Sequence, residues 1–537
     1  MRRMLKMVLA AVLLGGVTAC MDLDVQNENA PDIERALSEP ADVEQVIASA
    51  FLIWLTPSGS FDAAVVYPVL ADEVTQTSTQ RLVQWSEEPR QVFGNDPLDD
   101  SVWIPRLLWD NYPECIANSN DGLRQIRDGM RIETATGETT VADNTDRAYV
   151  FAKLMQGACL GSLALSIDKF VAATEDTVIP QGYEDQLVWE REHWVPYMEG
   201  LAVAVRSLEQ AIERAETGDA FLTPPSWMNQ QQYANAQMVE AAHTMIARLL
   251  VYVPRTPEER EAADWQQVLF HTERGLTFDW GLNLQTGLVT RNNWLHSLQR
   301  SGGSSRRLWA DPHLLGPADN SGNYQAWLAL PRDQRDRFLI STPDRRITGE
   351  DPTADGAYFL YDENLGALNE VRGKYNFSFY QWQRRVNETG CTGGCGFFAV
   401  ASADENRLLR AEAMLRTGDL QEAANLINFT RTRSVTIDDT DYPGLPPVTV
   451  DGVPEVNGEC VPRRKTGECG DLMDALQWER QIELFGQDPM RAWWDFRGFG
   501  QLQEGTLLHM PIPGRYIVSH GLPVYTFGGV GGDGAAR

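Results

Sequence analysis

Histidine is scarce in this chain, with seven in 537 residues, and none sits in a recognisable catalytic relay. No G-x-S-x-G elbow, no H-E-x-x-H helix and no phosphate-cradling P-loop occurs, which removes the common sequence signatures of serine hydrolases, zinc proteases and NTPases. Positive charge is also short: 46 Lys and Arg stand against 75 Asp and Glu, a formal net charge of −29. That balance argues against binding nucleic-acid backbones, or an anionic membrane face through charge. It suits solubility and neutral or cationic ligands. Apolar runs are few. Met7 to Val17 is one, too short for a permanent span, and no later stretch reads as apolar enough to cross a bilayer.

No cofactor motif emerges, and no residue set reads as metal-ligating. The nearest approach is Asp351-Pro352-Thr353-Ala354-Asp355-Gly356 with Asp362, which has the outline of a calcium loop. Thr353 and Asp362 stand where better ligands belong, and flanking helices are lacking, so an acidic surface turn is expected.

What is present begins with a targeting segment. Arg2, Arg3 and Lys6 precede the apolar run, and Val17-Thr18-Ala19-Cys20 resembles a bacterial lipobox. Residues 1–19 are then a signal peptide and Cys20 a lipidated first residue, followed by a polar tether over 20–29. Acyl chains on Cys20 would hold the protein on a membrane. Apart from Cys20, six cysteines remain, an even number suited to an oxidising compartment. Sequence proximity pairs Cys391 with Cys395 and Cys460 with Cys469, leaving Cys115 for Cys159.

Helical period dominates the rest. In Ala403 to Ser434, Leu408, Ala411 and Leu415 recur at helical spacing. Gly418 suits the left-handed residue that ends a helix, and Asp419 with Glu422 starts the next, which carries Leu420, Ala423, Ala424 and Ile427. This is the helical hairpin of a tetratricopeptide-type repeat. Arg147 to Phe170 reads as a helix whose Ala152, Gly157, Ala158, Gly161 and Ala164 permit close contact. His243 and His271 lie on further helices and read as packed residues rather than ligands. The fold expected is all-α: tetratricopeptide-like hairpins forming a superhelical scaffold. A helical region covers 30–277, an irregular loop-rich lobe 278–400, a second helical region 401–526 and a disordered tail 527–537.

From Asp471 onward the chain resembles the C-terminal signature of the SusD/RagB family. Glu479, Arg480, Glu483 and Leu484 give its helix, Arg491, Trp494, Asp495, Arg497 and Gly500 its next run, and Pro511-Ile512-Pro513 its extended close. Trp109 to Ile126 is similar to the family's early helix. The segment Gly486-Gln487-Asp488-Pro489 departs from the glutamate and glycine usual before the arginine. The resemblance implies a cell-surface outer-membrane lipoprotein, not an enzyme. Such a protein binds a glycan or peptide nutrient beside a SusC-like TonB-dependent transporter.

Sugar rings expose apolar C–H faces on which aromatic rings stack, while amides and charged groups take the hydroxyls. Aromatics outside regular helices are therefore the expected ligand apparatus: Trp85, Trp294, Trp309 and Tyr324 as platforms, with Arg81 and Asn292 as polar partners. Two other functions fit the same scaffold: a lipoprotein glycosidase, since carboxylates are plentiful, and a scaffold that binds only proteins.

Overall fold

A computed structural model describes residues 37–59, 61–76, 85, 88–98, 103–135, 141–284, 308–363, 377–389 and 396–537. Its main helices are α1 (Pro40–Gly59), α2 (Phe61–Leu70), α3 (Trp103–Arg127), α4 (Thr145–Ser166), α5 (Tyr197–Thr217), α6 (Asn235–Tyr252) and α7 (Trp265–Thr272). They continue with α8 (Ala403–Thr417), α9 (Leu420–Arg431), α10 (Leu472–Glu483) and α11 (Arg491–Phe499). Strands occur among the described residues only as two-stranded ribbons.

The helices stack in series. α1 packs on α3, α3 on α4, α4 on α5, α5 on α6, α6 on α7 and α7 on α8, and then α8, α9 and α10 contact one another. Each hairpin buries its apolar stripe against the next, the arrangement of a helical repeat array. The all-α, tetratricopeptide-like reading holds.

The α8–α9 hairpin follows its sequence signals closely. The Ser402 hydroxyl accepts the Glu405 N–H and starts α8. Gly418, at φ 96°, ends it in the left-handed region. Asp419 then caps α9 through the Glu422 N–H at 3.1 Å. Leu408, Ala411, Ala423, Ala424 and Ile427 are fully buried between the pair.

Helix α4 corrects one expectation. By length and composition it is apolar enough to cross a membrane, yet 94% of its apolar window is buried inside the protein. It is the central helix of the array, enclosed by α3 and α5. Its glycines make that possible: a Cβ at Gly157 would lie 2.6 Å from Leu208 Cγ on α5, and one at Gly161 would lie 2.6 Å from Leu249 on α6. Cys115 on α3 is joined to Cys159 on α4.

The lobe that opens after α7 is stitched at its base. Trp280–Leu284 pairs antiparallel with Gly396–Ala401, so the chain leaves and re-enters the helical array side by side. Within the lobe, Asp351 accepts from the Thr353 N–H and hydroxyl, forming the exposed acidic turn expected there.

The tail is a second correction. Residues 527–537 are packed against the protein, through bridges from Gly528 to Val92 and from Ala535 to Leu507. Gly528, Gly529, Gly531 and Gly534 all take positive φ, so a glycine-rich composition that reads as disorder serves here as tight turns.

The signature region is held by buried charge. Glu479, Arg480 and Glu483, opposite the apolar face of α10, are buried rather than solvated. Arg480 and Arg260 share Glu412 and Asp495, all at 2.7 to 3.0 Å. Arg346 bridges Asp344, Glu479 and Glu483 at 2.7 to 2.9 Å. The Arg491 partner comes from Glu73, 2.9 Å away, with Asp495 at 3.8 Å.

Candidate functional site

A half-open cavity of about 260 Å³ lies where the lobe meets α10 and α11. Wider depressions elsewhere are more open surface hollows.

Local structure builds its floor. The turn after α2 ends at Asp72, whose backbone is in the left-handed region at φ 51°. Strand β1 (Val74–Gln76) then pairs antiparallel with β2 (Leu308–Ala310), Thr75 facing Trp309. That register carries Asp311 back beside the turn. The Asp311 N–H donates to Glu73 O at 3.1 Å, and the Thr75 hydroxyl donates to Asp311 Oδ2 at 2.6 Å. Asp311 also caps the short helix Pro312–Leu315 through the His313 N–H. Its Oδ1 lies 2.8 Å from His313 Nδ1. A carboxylate on Nδ1 assigns that nitrogen the proton and leaves Nε2 free as an acceptor, 3.1 Å from Gln503 Nε2. Asp72, His313 and Gln503 all line the cavity, while Asp311 stands behind the imidazole.

Charge on this floor is set by burial and by neighbours. Burial raises the Asp72 carboxyl above its ordinary range, although Arg90, 2.6 Å away, and His313 pull it down. Burial also disfavours a charged His313. The Asp311 hydrogen bond and the charges of Asp311, Asp72 and Glu88 outweigh it, so its proton affinity is raised.

The facing wall comes from α10, which presents Gln477, Trp478 and Gln481 at helical spacing, and from Phe496, Gln501 and Gln503 around the end of α11. The mouth is formed by Arg463, Arg464 and Lys465. They sit on a loop closed by the Cys460–Cys469 disulfide. Arg463 anchors that loop through Nε to Asn320 Oδ1 at 2.6 Å. Arg464 is held by Asp471 and Asp474, each at 2.6 Å. Lys465 and the Gln481 amide make no hydrogen bond among the described residues, and neither does the Tyr324 hydroxyl. Tyr324 is 1% exposed and lines the same cavity. Burial and then the charges of Asp311 and Asp72 push its proton affinity up, which keeps it a neutral phenol.

Of the aromatics expected to stack on ligand, the structure brings one to the cavity, Tyr324. Trp85 is 2% exposed with its ring against Phe93, and Trp309 is fully buried in β2. Both spend their faces on packing, so neither offers a platform in this conformation. Arg81, Asn292 and Trp294 lie outside the described residues, as do Cys20, Cys391 and Cys395. Sequence reasoning missed His313, Gln477, Gln481, Lys465 and Gln503. A local signal existed for the first, because Asp311-Pro312 is a helix-start pattern that fixes the residue after it. Its partner Asp72 is brought beside it only by the β1–β2 pairing, across a contact separated by 236 positions at Thr75 and Asp311.

No family model matches the chain, and no curated protein matches it. Solved structures do. A SusD superfamily protein from Bacteroides vulgatus superposes with TM-score 0.52 and 13% identity, covering 87% of this chain and 89% of that one. One from Bacteroides thetaiotaomicron gives TM-score 0.52 and 12% identity over 91% and 98%. The chain has the SusD fold. A SusD-like carbohydrate binding protein from Bacteroides vulgatus also superposes, with TM-score 0.50, 15% identity and coverage of 86% and 84%. In this SusD-like fold the helical array is the scaffold, and the cavity lies where the inserted lobe and the disulfide loop meet it.

Proposed function

We propose that the protein is a SusD/RagB-family lipoprotein that binds a carbohydrate in this cavity and passes it to a TonB-dependent transporter. The observation that carries the reading is the cavity lining. Amides at Gln477, Gln481, Gln501 and Gln503, with the Tyr324 hydroxyl and Lys465, offer donors and acceptors to a neutral polyol. Several of these are unengaged, so they are ready for ligand hydroxyls. Trp478 and Phe496 supply apolar wall between them. At about 260 Å³ the space is near the lower end of ligand pockets, which run roughly from 300 Å³ upward, and it suits one end of a saccharide rather than a long chain.

The SusD fold, shared with a protein described as carbohydrate binding, supports the ligand class. The lipobox-like segment before Cys20 supports a lipid anchor in a membrane; on this reading the membrane is the outer one and the protein faces the cell surface. Binding without turnover is the reading taken. The two carboxylates that line the cavity are each held by an arginine, Asp72 by Arg90 and Asp474 by Arg464, both at 2.6 Å. The experiment is a panel of oligosaccharides titrated into purified protein, with chromatography of the mixture afterwards. Saturable binding with the sugar unchanged supports the proposal. Cleavage of the sugar, or no binding across the panel, contradicts it. Extraction in mild detergent tests the partner: the transporter should co-purify.

A further inference from the structure

Resting on the saccharide reading above, we propose that the ligand is an acidic saccharide, whose carboxylate or sulfate group lies at the mouth of the cavity against Lys465 and Arg463.

The charge of the mouth is unlike that of the chain. The protein carries a formal net charge of −29, yet Arg463-Arg464-Lys465 is an unbroken basic run, and all three residues line the cavity. Exposed charges beyond the screening length, about 8 Å at physiological salt, count for little, so the groups at the mouth decide. Both carboxylates that line the cavity are neutralised, Asp72 by Arg90 and Asp474 by Arg464, each at 2.6 Å. Asp471 holds the other end of Arg464 and also caps α10, accepting the Asp474 N–H at 2.9 Å. A helix N-terminus stabilises such a carboxylate.

Two cations are left over. Arg463 spends its guanidinium on uncharged oxygens: Nε on Asn320 Oδ1 at 2.6 Å, and its terminal nitrogens on Gly467 O at 2.8 Å and Gly458 O at 2.7 Å. These contacts hold the side chain but leave its charge. Glu455, 3.8 Å away on a side chain 58% exposed, offsets it only weakly. Lys465 has neither hydrogen bond nor ion pair among the described residues. Lysines elsewhere are committed: Lys153 is 2.7 Å from Glu175, and Lys169 lies over the rings of Trp194 and Tyr525.

The backbone under Lys465 is fixed. The Gly467 N–H donates to Arg464 O and the Arg464 N–H to Glu468 O, both at 2.8 Å, closing a turn with Lys465 at its corner. The Arg463 N–H donates to Pro317 O at 2.6 Å and joins the disulfide-closed loop to the lobe. The ammonium is therefore offered from a rigid turn at the rim, while Gln477 and Gln481 deeper in the wall can take the hydroxyls of the same sugar. An ammonium is a point charge without the fork of a guanidinium, so it accepts carboxylate and sulfate ester alike.

The test is calorimetry of the purified full chain at low salt. The probes are uronate oligomers with their methyl esters, sulfated oligosaccharides with their desulfated forms, and neutral oligosaccharides. The tightest binder should be an acidic sugar, bound about fivefold or more tightly than its uncharged partner. The two acidic arms tell carboxylate from sulfate. That preference should shrink as salt rises from about 0.01 to about 1 M, where the screening length falls from roughly 30 to 3 Å. It should largely vanish in Lys465→Gln and largely persist in Lys465→Arg. Arg206→Gln, at an exposed arginine of α5 outside the cavity lining, should leave it unchanged. Melting curves report whether each variant is folded, and if Lys465→Gln is not, the salt dependence of the intact chain decides. Equal or tighter binding of the uncharged partners, or a preference unchanged in folded Lys465→Gln, overturns the acidic ligand and leaves the saccharide reading standing. No binding anywhere in the panel overturns both.

Discussion

The guanidinium of Arg491 lies 2.9 Å from the carboxylate of Glu73, 418 positions earlier in the chain. Both side chains are 2% exposed. The pair ties the start of α11 to the turn that delivers Asp72, so that helix and the cavity floor are one unit. Removing one partner of a buried pair strands the other charge. Glu73→Ala should therefore destabilise by about 3–5 kcal/mol. Replacing both residues with apolar ones of similar size should recover a large part of that loss. Denaturant unfolding of the two variants checks it, and a single variant as stable as wild type would refute the role given to the pair.

Close approach of α4 to its neighbours makes a second prediction. At Gly161 a Cβ would meet Leu249 at 2.6 Å. Gly161→Val should lower stability by about 1–3 kcal/mol or more through overpacking. Adding Leu249→Ala should restore part of it, because the clash is with that side chain. Thermal melts of the single and double variants decide.

The histidines of α6 and α7 predict a pH dependence. His243 Nδ1 and His271 Nδ1 are 2.8 Å apart and buried, so one must donate while the other accepts, and both cannot carry a proton there. Burial lowers each to about 4, with Arg274 adding to the effect on both and His243 on His271. A lowered histidine binds fewer protons folded than unfolded. Its contribution is present above about 6.5 and is lost as pH falls towards 4, by at most about 1.4 kcal/mol per pH unit for each titrating group. Glu73 runs the other way: burial, opposed by Arg491, raises it to about 7, so its contribution fades as pH rises from 4.5 to 7. The comparison must therefore be between wild type and His271→Gln. The difference in melting temperature should narrow as pH falls from 7 to 4.5, and a constant difference would contradict the account.

How much of this was legible in the sequence depended on range. The α8–α9 hairpin was readable because Ser402, Gly418 and Asp419 act on backbone within a few residues. The Cys460–Cys469 bridge was readable because its partners are neighbours. The Arg491 pairing was not, since the segment just before it gives no clue that Glu73 would supply the charge. The same holds for the cavity, where Asp72, His313, Lys465 and Gln481 are neighbours only after the fold closes. Trp309 misled for a related reason: outside helices a tryptophan looks available, but β2 is a buried strand in this lobe.

Attachment is tested at the N-terminus. If Cys20 is lipidated, Cys20→Ser should move the protein from the membrane fraction to the soluble one. Retention in the membrane would contradict the lipobox reading.

The central claim is that the cavity holds saccharide, and calorimetry on two of its unengaged side chains tests it most directly. Gln481→Ala and Lys465→Ala remove groups that make no hydrogen bond among the described residues, so folding should be untouched. A hydrogen bond to ligand is worth about 1 kcal/mol. With an oligosaccharide that binds the intact protein, each variant should bind about fivefold more weakly and melt at the wild-type temperature. Wild-type affinity in both variants would place the sugar elsewhere and contradict the account.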